Sequence, residues 1–333
     1  MALHAKFKAA AVQMAPVYLN RDATTEKVCR KIDEAAANGA KVIAFPETVI
    51  PGYPSWIWSE PTRLTGHLYK KFYEQAVEIP SKTIASISDA ARRNKVYVSV
   101  SLTERDRSSL YLTMVWFGPN GDMLGKHRKL KPSVDERTIW GDGDGSMMPC
   151  FDTEYGRLAG LNCWNNSLPL AMAAMGSMNE QVHVAAYPTF AVEEGSLYSP
   201  ETCKKIVQAY AAINGTFVLM PTMIYTQEMI DTVTLSEDAK GYWKLGGGGT
   251  QIVGPNGVVL NELPGDVEDI CYADIDLDEI ITHKYLNDPA GHYATPASLR
   301  LIFDRNEHFG VMEVGSPKDT SISYEQLQSL KTP

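Results

Sequence analysis

An apolar run, a helix and a second apolar run open this chain, and that order restricts the fold more than any other feature. Residues 7–14, FKAAAVQM, have the continuous hydrophobic character of a strand buried on both faces. Asp22 follows as a helix cap, Val28, Ile32 and Ala35 recur at helical spacing, and Gly39 stands where a left-handed residue closes a helix. Residues 41–47, KVIAFPE, form a second buried strand, and it ends on a carboxylate. Two such strands joined by a helix require a sheet with helices on its outer face, so the expected class is α/β.

The rest of the chain continues in the same manner. Residues 84–93 are helical, 96–102 form a strand, and 110–117 and 123–126 form a hairpin about Pro119-Asn120-Gly121-Asp122. Residues 157–170, RLAGLNCWNNSLPL, run as a strand into Cys163 and then into a helix opened by Pro169. A strand at 182–189, a helix at 201–213 and a strand at 216–223 follow. A hairpin about Pro255-Asn256-Gly257, a strand at 271–275 and a helix at 277–283 complete the series. Two stretches read as loops: the proline-rich segment after Glu47, which carries Tyr53, Trp56 and Trp58, and residues 224–247. The alternating Gly and Asp at 141–145 make an irregular loop, not a phosphate cradle. No linker divides the chain, so a single domain at 1–313 with a polar tail at 314–333 is expected.

A net charge of −9, with one short basic cluster at 126–131, argues against nucleic acid or an anionic membrane as partner. The five cysteines are scattered and never spaced C-x-x-C, and the seven histidines form no H-x-x-x-H pair. Neither a disulfide framework nor a metal centre is expected. With no apolar stretch long enough to span a bilayer, the expected setting is cytoplasmic.

Cys163, at a strand end before a helix, is either a small buried hydrophobe or a nucleophile whose thiolate is favoured by a nearby cation and a positive helix end. Glu47, Lys129 and Glu136 each have an ordinary surface reading. Together the four supply one chemistry: a thiol, a carboxylate to accept its proton, and a cation to lower the thiol pKa and hold developing charge. Tyr53, Trp58, Trp164 and Tyr187 either wall an apolar cleft or pack the core. His183 reads as a core or interface histidine.

Three separated segments, FPETVIPGYP (45–54), HRKLKPSVDERTIWGDGDG (127–145) and LNCWNNSLPL (161–170), resemble the nitrilase superfamily, its nitrilase branch in particular. The resemblance spans nearly the whole chain. It implies a four-layer α-β-β-α sandwich, a homodimer joined through its helical faces, larger spiral assemblies, and no metal or organic cofactor. By position, Glu47 matches the family's general base, Lys129 its catalytic lysine and Cys163 its nucleophile. Glu136 matches a second glutamate that holds the lysine and substrate. The implied reaction converts a small organic nitrile, arylaliphatic or aliphatic, to carboxylic acid and ammonia, with some amide, through a cysteine thioimidate and thioester. An amidase or carbamoyl-amide hydrolase of the same superfamily is the alternative. The expected cleft is lined by Trp164, Tyr53, Trp58, Tyr187 and Asn165. The last departs from the family pattern, which carries Glu after the Cys-Trp pair. Losing that negative charge beside the nucleophile is expected to alter the division between acid and amide.

Overall fold

The computed structural model describes residues 4–189, 198–308, 314, 315, 318 and 320–329. Its strands are β1 (Lys6–Gln13), β2 (Ala40–Ala44), β3 (Tyr97–Asp106), β4 (Ser109–Phe117), β5 (Met123–Arg128), β6 (Cys150–Thr153), β7 (Gly156–Asn162), β8 (Val182–Ala186), β9 (Phe217–Met220), β10 (Gln251–Val253), β11 (Val259–Glu262) and β12 (Asp269–Asp276). They form two six-stranded sheets, ordered β12-β1-β2-β3-β4-β5 and β11-β10-β9-β8-β7-β6. In the first, parallel β1, β2 and β3 lie between antiparallel β12 and the β4–β5 hairpin. In the second, parallel β7, β8 and β9 lie between antiparallel β6 and the β10–β11 hairpin. The chain thus builds one design twice.

The helices are α1 (Arg21–Ala37), α2 (Trp56–Ser59), α3 (Thr62–Glu74), α4 (Lys82–Asn94), α5 (Pro169–Ser177), α6 (Pro200–Asn214), α7 (Gln227–Val233), α8 (Asp278–Leu286) and α9 (Tyr324–Ser329). Val28 and Ile32 of α1, with Ile84 and Ile87 of α4, cover Ala10, Val12 and Val98 on the outer face of the first sheet. Ala171 and Met175 of α5, with Val207 and Tyr210 of α6, cover Ala159, Leu161 and Val218 of the second. Between the sheets, Ala9, Ala11 and Ala44 face Leu158, Val184 and Leu219. Small side chains such as Ala9, Ala44 and Ala186 beside large ones such as Met114, Trp116 and Phe217 let the two faces interdigitate, and each buried Leu or Val contributes about 1.5–3 kcal/mol of transfer energy. The result is the expected α-β-β-α sandwich.

Three local expectations need correction. Asn20, not Asp22, caps α1: its side chain accepts the Ala23 N–H at 3.1 Å, while Asp22 sits in the first turn, where a negative charge favours the helix dipole. The proline-rich loop contains α2 and leads into α3, whose Thr65, Leu68 and Phe72 make a narrow buried stripe. The stretch 224–247 contains α7, capped by the Thr226 side chain. In the tail, α9 is exposed. Residue 313, at the expected domain end, lies outside the described residues. Among those residues no helix is long and apolar enough to cross a membrane.

Candidate active site

The C-terminal ends of the parallel strands meet at one end of the sandwich. After β2 the chain runs through Phe45, whose N–H bonds the Ser99 carbonyl at 2.9 Å, to Glu47, whose N–H bonds the Tyr187 carbonyl beyond β8 at 3.2 Å. That second bond crosses from one sheet to the other. The functional groups gather where two sheets facing each other end together, because Glu47 and Lys129 follow β2 and β5 of the first sheet and Cys163 follows β7 of the second.

Lys129 comes directly after β5, its N–H on the Leu112 carbonyl at 2.8 Å and its carbonyl accepting the Gly143 N–H at 2.9 Å. A Cβ at Gly143 would lie 2.2 Å from the Arg128 carbonyl oxygen. The glycine-aspartate loop is therefore pressed against the strand end that carries the lysine, and only glycine permits that approach. Glu136 lies in a short 3-10 turn, Val134–Thr138, closed by a reciprocal capping box with Ser133. Its Oε2 accepts the Ser133 N–H at 2.6 Å, and its Oε1 accepts the Tyr53 hydroxyl at 2.8 Å. The Trp58 indole N–H in turn donates to the Tyr53 oxygen at 2.9 Å.

Between the carboxylates sits Lys129, its Nζ 3.1 Å from Glu47 Oε1 and 2.8 Å from Glu136 Oε2, with all three side chains buried. The Cys163 sulfur, one Glu47 oxygen and one Glu136 oxygen lie within 4.8 Å of one another. Glu47 Oε2 has no hydrogen-bond partner among the described residues, which leaves it open to a thiol proton or a water. These three atoms could in number ligate a divalent cation, but the Lys129 ammonium already bonds both carboxylates and is the cation of the cluster.

Cys163 opens a 3-10 turn, Cys163–Ser167, in the left-handed region at φ 44°. Thr48, after Glu47, and Val134, before Glu136, are also left-handed, at φ 52° and 44°. Such residues cost on the order of 1–3 kcal/mol each and persist where surrounding contacts over-determine them.

The electrostatics revise one expectation. Burial pushes Glu47 up to about 8, with Lys129 opposing and Glu136 reinforcing. Burial works against the Lys129 charge, but Glu136 and Glu47 outweigh it and hold the ammonium above its ordinary range. The Cys163 thiol is pushed well above its ordinary value by burial and by Glu47, and Lys129 does not compensate. The sequence suggested a lowered thiol pKa. In the fold the lysine's charge is already shared between two carboxylates, and burial and the nearby Glu47 both act against the thiolate. The resting group is a thiol beside a carboxyl of raised basicity.

The remaining candidates are distributed differently from expectation. Tyr53 is buried and bonded to Glu136, its phenol held protonated by burial and by that carboxylate. Tyr187 is fully buried in the core beneath α5 and α6, and its carbonyl holds Glu47. Both amide atoms of Asn165 are taken by one residue's backbone: Nδ2 donates to the Lys131 carbonyl at 2.9 Å, and Oδ1 accepts the Lys131 N–H at 3.3 Å. Asn165 therefore ties the loop after Lys129 to the cysteine turn instead of lining a cleft. Trp58 and Trp164, both half-buried, flank Tyr198, with ring centroids 5.5 and 5.2 Å from it. Tyr198 escaped the sequence reading because it belongs to no periodic element. Asn166 escaped it too, although its amide donates to the Cys163 carbonyl at 2.8 Å.

Comparison with known proteins agrees with this arrangement. The carbon-nitrogen hydrolase family model matches residues 8–285. A nitrilase from Bacillus sp. (strain OxB-1) is 51% identical over 329 residues, 98% of this chain and 97% of that protein. An aliphatic nitrilase from Rhodococcus rhodochrous is 38% identical over 96% of this chain and 84% of its own length. Among solved structures, Saccharomyces cerevisiae Nit3, a member of branch 10 of the nitrilase superfamily, superposes with a TM-score of 0.69 at 18% identity, covering 87% of this chain and 97% of that one. Family model, relatives and fold agree: the chain belongs to the carbon-nitrogen hydrolase family, the nitrilase superfamily.

Proposed function

We propose that this protein is a nitrilase in which Cys163 is the nucleophile, Glu47 the general base and Lys129 the electrophilic partner, with Glu136 holding the lysine. One observation carries the reading: a buried thiol lies within 4.8 Å of two carboxylates that share a single buried ammonium. Glu47 accepts the thiol proton as sulfur adds to the nitrile carbon, forming a thioimidate. Lys129 stabilises and protonates the nitrogen as charge develops there, and takes its proton back from Glu47 3.1 Å away, which returns the carboxylate to its basic form. Water, deprotonated by Glu47, adds to the thioimidate carbon. The adduct's hydroxyl proton passes through the Glu47–Lys129 pair to the amino nitrogen, the C–N bond breaks, ammonia leaves, and a thioester remains. A second water releases carboxylic acid and restores the thiol, so two waters are consumed per nitrile. If the first tetrahedral adduct expels sulfur instead, the product is amide.

The half-buried Trp58, Tyr198 and Trp164 supply an aromatic wall suited to arylaliphatic or medium aliphatic nitriles. Homodimerisation through the helical faces is supported by apolar side chains left open there, Leu170 at 70%, Ile213 at 48% and Tyr285 at 84% exposure. Spiral extension of that dimer, and residence in the cytoplasm, where a nucleophilic thiol stays reduced, complete the proposal. Intact-protein mass spectrometry during turnover of nitrile and amide panels tests it. An acyl adduct on native protein that disappears in Cys163→Ala, with ammonia released from nitriles, is the expected result. Turnover confined to amides would replace this reading with an amidase.

A further inference from the structure

We infer that Glu180, His183 and Asn166 form a buried positioning relay that holds the Cys163 backbone in its left-handed turn. The inference rests on Cys163 being the nucleophile. His183 lies on β8 with its side chain fully buried, between Asn166 on the cysteine turn and Glu180 just before the strand. Its Nε2 is 2.7 Å from Asn166 Oδ1, and its Nδ1 is 2.7 Å from Glu180 Oε2.

Donor accounting orients the chain of bonds. The Asn166 amide nitrogen donates to the carbonyls of Cys163 at 2.8 Å and Leu161 at 3.2 Å, so its oxygen must accept and His183 Nε2 must donate. At the far end, Glu180 Oε1 accepts from the Tyr210 hydroxyl and from Asn214 Nδ2, which anchors it to α6. The imidazole also lies over the Tyr210 ring, 4.2 Å between centroids. A continuous set of bonds therefore runs from α6, through the second sheet, to the carbonyl of the nucleophile. Three buried polar side chains make poor filler, since apolar groups of similar volume would pack the same space without desolvation. What they supply is direction. A left-handed cysteine needs its carbonyl fixed if the sulfur is to face Glu47, and misplacement of a reacting atom by an ångström costs on the order of 100-fold in rate.

The test compares the native enzyme with His183→Gln, Glu180→Ala and Glu180→Gln. In His183→Gln the glutamine amide can reach one neighbour but not bridge both, and kcat should fall on the order of 100-fold with KM within about twofold. Glu180→Ala should lose similarly. Glu180→Gln should recover most of that loss, because its amide can donate to Nδ1 while Nε2 still donates to Asn166. Folded His183→Gln with kcat within about twofold of native, or Glu180→Gln as impaired as Glu180→Ala, overturns the relay. The rate of Cys163 alkylation by iodoacetamide, read by mass spectrometry, is followed in parallel. It judges the relay even if native protein turns over no nitrile, a result that would sink the nitrilase reading alone. Should the variants fail to fold, native protein suffices: alkylation of Cys163 should move the His183 ring nitrogen-15 resonances, and unmoved resonances overturn the proposal.

Discussion

Two charge clusters hang from the same strand, and about their central residues they are mirror images: one buried acid between two cations, and one buried cation between two acids. At the first, Glu104 on β3 takes hydrogen bonds from Lys126 and Arg128 of β5 and from Thr113 of β4. Arg128 also reaches Asp106 at 2.7 Å and stacks on Tyr111, its guanidinium carbon 3.7 Å from the ring centroid. At the second, one residue further along, Lys129 serves Glu47 and Glu136. Burial opposes charge in both, but stoichiometry decides the outcome. Two cations about one acid overcome burial and hold Glu104 below the ordinary carboxylate range. Two acids about one cation cannot both be satisfied, and Glu47 is pushed up to about 8. The first arrangement locks a sheet; the second leaves a base with an unengaged oxygen beside a thiol.

The sharpest way to break this contrast is to remove the single cation. Lys129→Met leaves two buried carboxylates facing each other, and kcat on any nitrile that is a substrate should fall on the order of 10⁴-fold, the combined scale of proton transfer and electrostatic stabilisation. A residual rate within about tenfold of native would remove Lys129 from the chemistry. At the other cluster the same kind of cut should act on the fold instead. Glu104→Gln strands two partly buried cations and should cost about 3 kcal/mol in chemical denaturation, while kcat per folded molecule stays within about twofold. If activity fell and stability did not, the division between a structural and a chemical cluster would be wrong.

This contrast also marks what could be read from the chain beforehand. Glu47, Lys129, Glu136 and Cys163 were legible because each stands at a strand end or in a distinctive motif, and strand ends are visible as breaks in periodicity. The sandwich was legible in part for the same reason, from buried strands alternating with helices, and its four layers came from the family resemblance. What stayed hidden depends on pairs that sequence spacing does not record. The sign of the Cys163 shift turns on how many acids share Lys129. Tyr53 looked like a pocket wall and proves to be a donor to Glu136. The helix α3 was masked by prolines and glycine, since Thr65, Leu68 and Phe72 form a stripe too narrow to stand out.

The raised Glu47 gives a pH signature that Glu104 does not share. A base must be ionised to accept the thiol proton, so its competent fraction is lost as pH falls below the folded value. With Glu47 near 8, kcat/KM should rise about tenfold per unit through neutral pH and level above that value. Glu104→Gln should leave the limb where it is. Replacing Tyr53 by Phe frees one Glu136 oxygen, which strengthens that carboxylate's claim on Lys129 and should move the limb upward. A profile flat from about pH 5 to about pH 9 would mean that Glu47 is not the proton acceptor.

The smallest expected effect concerns the seam between the lysine loop and the cysteine turn. Asn165 pairs with both the N–H and the carbonyl of Lys131, so substituting it perturbs geometry as well as charge. Asn165→Ala removes the clamp alone; Asn165→Asp keeps the shape and the acceptor but turns the donor into an oxygen facing the Lys131 carbonyl. One unmade buried hydrogen bond is worth about 1–3 kcal/mol, and both variants should lose about tenfold in kcat. They should separate in product. A negative charge near the nucleophile favours protonated, departing nitrogen over departing sulfur, so Asn165→Asp and Asn165→Glu should shift the acid-to-amide ratio toward acid while Asn165→Ala leaves it unchanged. A shift of equal size in all three would show that the partition is set by the seam's geometry, and that the two clusters influence it only through where they hold the sulfur.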